Sequence, residues 1–190
     1  MARSQLINSL LTEAGCYLDF PYMSNHLKDG NIIKERFLGG KGHWQQLQQE
    51  TQKLAQEENI DLKNLSKQEL YNFQKKHQIG IDCSGLATQL LIFYGKLLDK
   101  EIKLNPRRTS ADMLTSEPLS KLIIDLDDIK SADLIRQKDG HHLLFVLEKE
   151  GQRIKYIHSS REGRGVKYGQ FDLSDETFPN QGIYRLLLLD

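Results

Sequence analysis

The last third of the chain constrains its fold most. Between Ala132 and Leu189 five short runs rich in β-branched, aromatic and leucine residues follow one another: ADLIR, HLLFVLE, RIKYIHS, GVKYGQF and GIYRLLLL. Runs of this length and composition suit a pleated, half-buried surface and read as strands. EKEGQ, between the second and third, is a hairpin turn containing glycine. The expectation is a meander of antiparallel strands, with LLLLD at the end as a buried strand. Earlier residues have a different period. Leu6, Ile7, Leu10, Leu11 and Ala14 fall at helical spacing within residues 4–18, with Ser4 as candidate N-cap, Cys16 in its core face and Pro21 closing the segment. Helices first and strands after define an α+β arrangement.

Residues 24–78 are rich in Gln, Lys, Glu and Asn. HWQQLQQETQKLAQEEN carries Trp44, Leu47, Thr51, Leu54 and Ala55 along one face, an amphipathic helix with a thin apolar stripe. LSKQELYNFQKKH opens on a capping box, Ser66 followed three residues later by Glu69, and carries Leu70 and Phe73 on its apolar side. Such helices need a surface to pack on. The stretch reads as a helical insertion lying on the main body, preceded by a glycine loop in FLGGKG.

The chain has 190 residues, enough for a substantial core without staples. Formal net charge is zero, so bulk electrostatics give no reason to expect a nucleic-acid or anionic-membrane partner. The two cysteines, Cys16 and Cys83, make no disulfide framework and suit a reducing compartment. No apolar run reaches the roughly 18 residues of a membrane span. The opening residues lack a basic cluster and long apolar core, so the expected location is cytoplasmic, with non-classical export as the other route.

The stretch IGIDCSGLA carries the chemistry. Gly80 breaks the preceding structure, Asp82 can cap, and the apolar helix CSGLATQLLIFYGKLL begins at Cys83, with Gly95 as a weak point or end. A helix N-terminus favours a thiolate through free N–H groups and the helix dipole. Gly85 would remove bulk where a substrate approaches. Burial is nevertheless the commoner fate of a lone cysteine. A cysteine nucleophile needs a base and a group to orient that base. His26, His43 and His77 lie in the polar insertion and read as solvated. His142 opens one strand and His158 ends the next, so an antiparallel hairpin sets them side by side. His141 is expected on the opposite face by strand alternation. A zinc site of Asp139, His142 and His158 competes, but its spacing fits no standard ligand pattern. Arg107, Arg161 and Arg164 are candidate substrate clamps, against the commoner reading of solvated charges.

DCSGL resembles the nucleophile motif of the NlpC-type cell-wall cysteine peptidases, a papain-like superfamily. The resemblance continues in order through EAGCYLDFPYM, NPRRTSADM, SADLI, HLLFVLE and YIHSSREGRGV, covering most of residues 5–23 and 79–190. It implies a papain-like NlpC-type fold, with N-terminal helices packed on an antiparallel sheet and residues 24–78 inserted in a single domain spanning 1–190. Cys83 would be the nucleophile, His142 the general base and His158 its orienting group. Tyr22 would line the site and help stabilise the oxyanion. Asp82 and Ser84 would hold the free amine of the substrate, and Arg108 would stand near its carboxylate. The implied reaction is hydrolysis of peptidoglycan stem peptides at the γ-D-glutamyl–diaminopimelate bond, without cofactor or metal. The implied partner is a murein peptide, with an inhibitor or immunity protein compatible with a toxin role. An amidase or acyltransferase on the same fold, and a catalytically silent peptide-binding module, are the alternatives. The departures from the family are residues 23–82, which replace a much shorter link between Tyr22 and Cys83, SADLI, which lacks the family's usual glycine and runs on into Arg136, and Leu144 in place of a glycine. The insertion is therefore expected to wall the cleft.

Overall fold

The computed structural model describes residues 3–28 and 31–190. Helix α1 spans Arg3–Gly15. It starts before Ser4, which lies inside the helix rather than capping it, and it stops at Gly15, well before Pro21. Cys16 falls just past the end, only partly buried, with its thiol donating to the Thr12 carbonyl at 3.4 Å.

The insertion is not helical throughout. It opens with a two-stranded antiparallel hairpin, β1 (His26–Lys28) and β2 (Asn31–Lys34). The polar composition runs through the whole stretch, but the amphipathic helical period begins only at Trp44. The side chain of His26 lies outside the described residues. A 3-10 turn over Phe37–Gly40 leads to α2 (Trp44–Glu57), and α3 spans Lys67–Lys76. The capping box of α3 forms as read: Ser66 Oγ accepts from the Glu69 N–H at 3.3 Å, and the Glu69 carboxylate accepts from the Ser66 N–H at 2.8 Å. Leu47 of α2 is fully buried in the main core, and Phe37, Trp44 and Leu54 pack against it. His43 and His77 are not simply solvated. His43 caps α2 and sits 3.0 Å from Glu13, which also accepts from the Trp44 indole at 2.9 Å, tying α1 to α2. His77 packs on Phe73 and lies 3.0 Å from Glu58.

Helix α4 (Cys83–Leu97) is the apolar helix of the sequence, and the short α5 (Ala111–Leu114) follows, capped by Ser110. The strands are β3 (Ser120–Leu122), β4 (Leu134–Gln137), β5 (His142–Glu150), β6 (Arg153–Ser160), β7 (Gly165–Asp172) and β8 (Ile183–Leu186). They form one antiparallel sheet in the order β3-β8-β4-β5-β6-β7. The meander therefore holds from β4 to β7, while β8 returns to the other side of β4. A buried ion pair fastens this return. Arg185 of β8 donates from Nε and Nη2 to the two Asp133 carboxylate oxygens, both at 2.8 Å. The C-terminal leucines are not one buried strand. β8 ends at Leu186, a 3-10 turn follows, and Leu187 and Leu188 are about half exposed.

Alternation along β5 builds two cores from one strand. Leu143, Phe145 and Leu147 pack with α4 residues Leu86, Leu90 and Leu91 and with Leu10 and Ala14 of α1. Leu144 and Val146 pack on the other face with Ile135, Ile154, Phe171 and Ile183. Phe178 stacks on Phe171 with ring centroids 3.8 Å apart. The protein is α+β. Among the described residues no helix is long and apolar enough to cross a membrane.

Candidate active site

Three segments converge on the first turn of α4. Asp82 is extended, and its Oδ1 accepts the Gly85 N–H at 2.7 Å, which caps the helix and fixes Cys83 as its first residue. Ile81 is stitched to residues 21–23: its N–H donates to the Pro21 carbonyl at 3.0 Å, and its carbonyl accepts from Met23 at 3.3 Å. Gly80 permits this approach, because a Cβ there would lie 2.2 Å from the Pro21 carbonyl oxygen. Tyr22 is thereby held beside the cysteine. From the sheet side, Ser159 Oγ donates to the Ile81 carbonyl at 2.6 Å.

The histidine pair forms as expected from the hairpin. His142 Nε2 and His158 Nδ1 are 3.0 Å apart, and the rings meet edge to face. The Leu143 N–H, one residue beyond His142, lies close enough to the Cys83 sulfur to favour its thiolate. No hydrogen bond joins that sulfur to His142 among the described residues. With Nε2 engaged by His158, His142 keeps Nδ1 as its free nitrogen.

Electrostatics depart from the expectation of a ready thiolate. Burial, followed by the Asp82 charge, pushes the Cys83 thiol up to about 11, against the pull of the Leu143 and Ser84 N–H groups and Lys41. Burial first, then the neighbouring His158 and Lys138, pushes His142 down to about 4. His158 is lowered by burial and by Lys167 and Lys138. The helix terminus is present, but desolvation outweighs it. At neutral pH the resting pair is a neutral thiol and a neutral imidazole. Burial, with the negative forms of Cys83 and Asp82 nearby, raises Tyr22, so its hydroxyl stays a donor.

A cavity of about 400 Å³ opens on Cys83, lined also by Tyr22, Lys41, Asp82, Ser84 and His141. Insertion residues Ser24, Asn25, Glu35, Gly39 and Lys41 form part of its wall, whereas α2 and α3 do not line it. Arg107 lines this cavity; Arg108 is exposed and is not among the lining residues. His141 also differs from the expectation. It precedes β5 in a helical conformation (φ −86°, ψ −8°), so strand alternation does not govern it, and it lines the cavity with Cys83.

Lys41 is the residue that sequence reasoning missed. Its ammonium donates to Asp82 Oδ1 at 2.7 Å and to Ser84 Oγ, with both charged side chains only 11% exposed. The two residues assigned to a substrate amine are thus bonded to an amine of the chain itself. The loop is strapped down: Gly40 accepts the Asp82 N–H at 2.9 Å, and the Lys41 carbonyl accepts from Gln89 at 2.8 Å. Gly85 makes room for this strap rather than for a substrate, since a Cβ would lie 2.5 Å from the Gly40 oxygen and 3.0 Å from Lys41 Cδ. A lone lysine in a glycine loop carries no periodic signal, and nothing local marks its partner 41 positions on.

Among the described residues no group of three or more His, Cys, Asp or Glu side chains is arranged to hold a metal ion. No protein-family model, curated protein or solved structure matches the chain.

Proposed function

We propose that the chain is a cysteine peptidase of the NlpC type, on a papain-like fold, that hydrolyses murein stem peptides at the γ-D-glutamyl–diaminopimelate bond. The observation that carries the reading is that Cys83, at a capped helix N-terminus, packs in the same core as Leu143, next to His142, whose ring lies 3.0 Å from that of His158. In the proposed mechanism the proton leaves the thiol as attack begins, because the resting thiol is neutral. His142 Nδ1 takes that proton while the sulfur adds to the carbonyl carbon. His158 Nδ1 accepts from His142 Nε2–H, which fixes the tautomer that leaves Nδ1 open. The oxyanion is met by the Cys83 N–H and the Tyr22 hydroxyl. His142 then passes the proton to the leaving amine, and a thioester remains. Water, deprotonated by His142, adds to the thioester carbonyl; collapse releases the acid and returns the proton to sulfur.

Lys41 shapes the substrate. Its ammonium fills the position that the family resemblance gives to a free substrate amine, so the proposed substrate is a stem peptide whose amino end is blocked, as by attachment to the glycan. A second reading, a silent peptide-binding module, is favoured by the raised thiol and by the lack of a hydrogen bond between Cys83 and His142. Incubating amino-blocked and free L-Ala-γ-D-Glu-diaminopimelate peptides with the protein and with Cys83→Ala, read by mass spectrometry, tests both. Cleavage of the blocked peptide that is lost in the variant supports the peptidase. Binding without cleavage supports the module.

A further inference from the structure

Next to the Cys83 cavity, and sharing Tyr22 and Ser24 with it, lies a second cavity of about 330 Å³. Its charged lining is of one sign: Arg36, Lys75, Arg161 and Arg164, with no acidic residue among the lining side chains. These come from three separate places, the approach to α2, the end of α3 and the β6–β7 turn. Among the described residues none of the four makes an ion pair with a carboxylate. The Arg36 Nε is buried and has no hydrogen-bond partner among the described residues. Arg161 sits 6.0 Å from the Tyr22 ring centroid and Arg164 5.2 Å from that of Tyr71, both rings lining the same cavity. Lys75, Arg161 and Arg164 reach solvent, so the group here that lacks both water and a partner is the Arg36 Nε, which an anion entering the cavity would satisfy.

We propose that this cavity binds a multiply charged oxyanion group, and that Tyr22 forms the wall across which the ligand passes toward Cys83. This goes beyond the hydrolase reading and holds whether or not Cys83 reacts. The chemistry is shared by clustered carboxylates and by phosphate esters. The test is calorimetric titration of the full chain carrying Cys83→Ala, at low salt, with citrate and with inorganic pyrophosphate. It is repeated with Arg161→Gln/Arg164→Gln added, with Arg36→Gln added and with Lys103→Gln added. Arg161 and Arg164 are exposed, so the double variant is expected to fold, which unfolding curves check. Saturable one-to-one binding, weakened at least tenfold by both arginine changes and unchanged by Lys103→Gln, supports the proposal. Tighter citrate binding assigns carboxylates, and tighter pyrophosphate binding assigns phosphates. No saturable binding of either probe, or equal loss in the Lys103→Gln protein, overturns it. Because the protein tested is inactive, failure here leaves the peptide-cleavage result untouched, and the reverse also holds.

Discussion

Lys41→Met removes one partner of a buried pair while keeping the stem that packs against Gly85. Both side chains are 11% exposed and the bond is 2.7 Å, so solvent screening is weak. Breaking a pair of this kind costs about 3–5 kcal/mol, because the other charge stays buried and uncompensated. For a chain of this size about 3 kcal/mol lowers Tm by roughly 6–12 °C. The sign with pH follows from Asp82. Burial already raises its carboxyl, and Lys41 is the main group pulling it down. Without Lys41 the folded protein holds the Asp82 proton more tightly than the unfolded chain does, so stability falls as pH rises through the raised folded pKa. The defect is therefore full above that pKa and shrinks as pH falls toward the parent's own, less strongly raised, Asp82 pKa. Asp82→Asn removes the charge and keeps a capping side chain. In urea unfolding at pH 7 and pH 5, Lys41→Met is expected to lose about 3 kcal/mol or more at pH 7 and less at pH 5, and the double variant Lys41→Met/Asp82→Asn to regain most of it. A Lys41→Met protein within about 0.5 kcal/mol of the parent, the ordinary range for a surface change, would refute the reasoning.

Three further outcomes follow from the same site. Iodoacetamide labelling of Cys83 should be slow at pH 6 and climb toward an apparent pKa of about 11, and a rate that plateaus below pH 8 would contradict the buried neutral thiol. His142, lowered from 6.5 to about 4, binds its proton more weakly in the folded state, so stability should fall by up to about 3 kcal/mol as pH drops from 6.5 toward 4. Unfolding curves of His142→Gln should be flatter over that window. Gly85→Ala should destabilise by about 1–3 kcal/mol although alanine is the better helix former, because its Cβ meets the Gly40 oxygen at 2.5 Å; a stabilised variant would show that the strap yields freely.

What was legible in the sequence was local or periodic. The Ser66–Glu69 box, the Asp82 cap, the amphipathic face of α2 and the strands β4 to β7 each announce themselves within a few residues. The His142–His158 pair was legible because a hairpin carries one local turn into a contact 16 positions apart. What was missed depends on partners far along the chain. β3 is only three residues long and exists because β8 comes back to pair with it. Lys41 meets Asp82 and Arg36 joins Arg161 and Arg164 through the insertion's path, which no pattern in FLGGKG records. The expected thiolate failed for a related reason. A helix N-terminus can be read from residues, whereas burial by α4, β5 and the strap is a property of the assembled fold.

The most direct test of the account is mass spectrometry of amino-blocked L-Ala-γ-D-Glu-diaminopimelate peptide after incubation with the protein, beside Cys83→Ala and His158→Ala. Fragments from the γ-D-glutamyl–diaminopimelate bond are expected with the parent protein, none with Cys83→Ala, and a lowered rate with His158→Ala. An intact peptide under all three conditions, or cleavage that persists in Cys83→Ala, would contradict it.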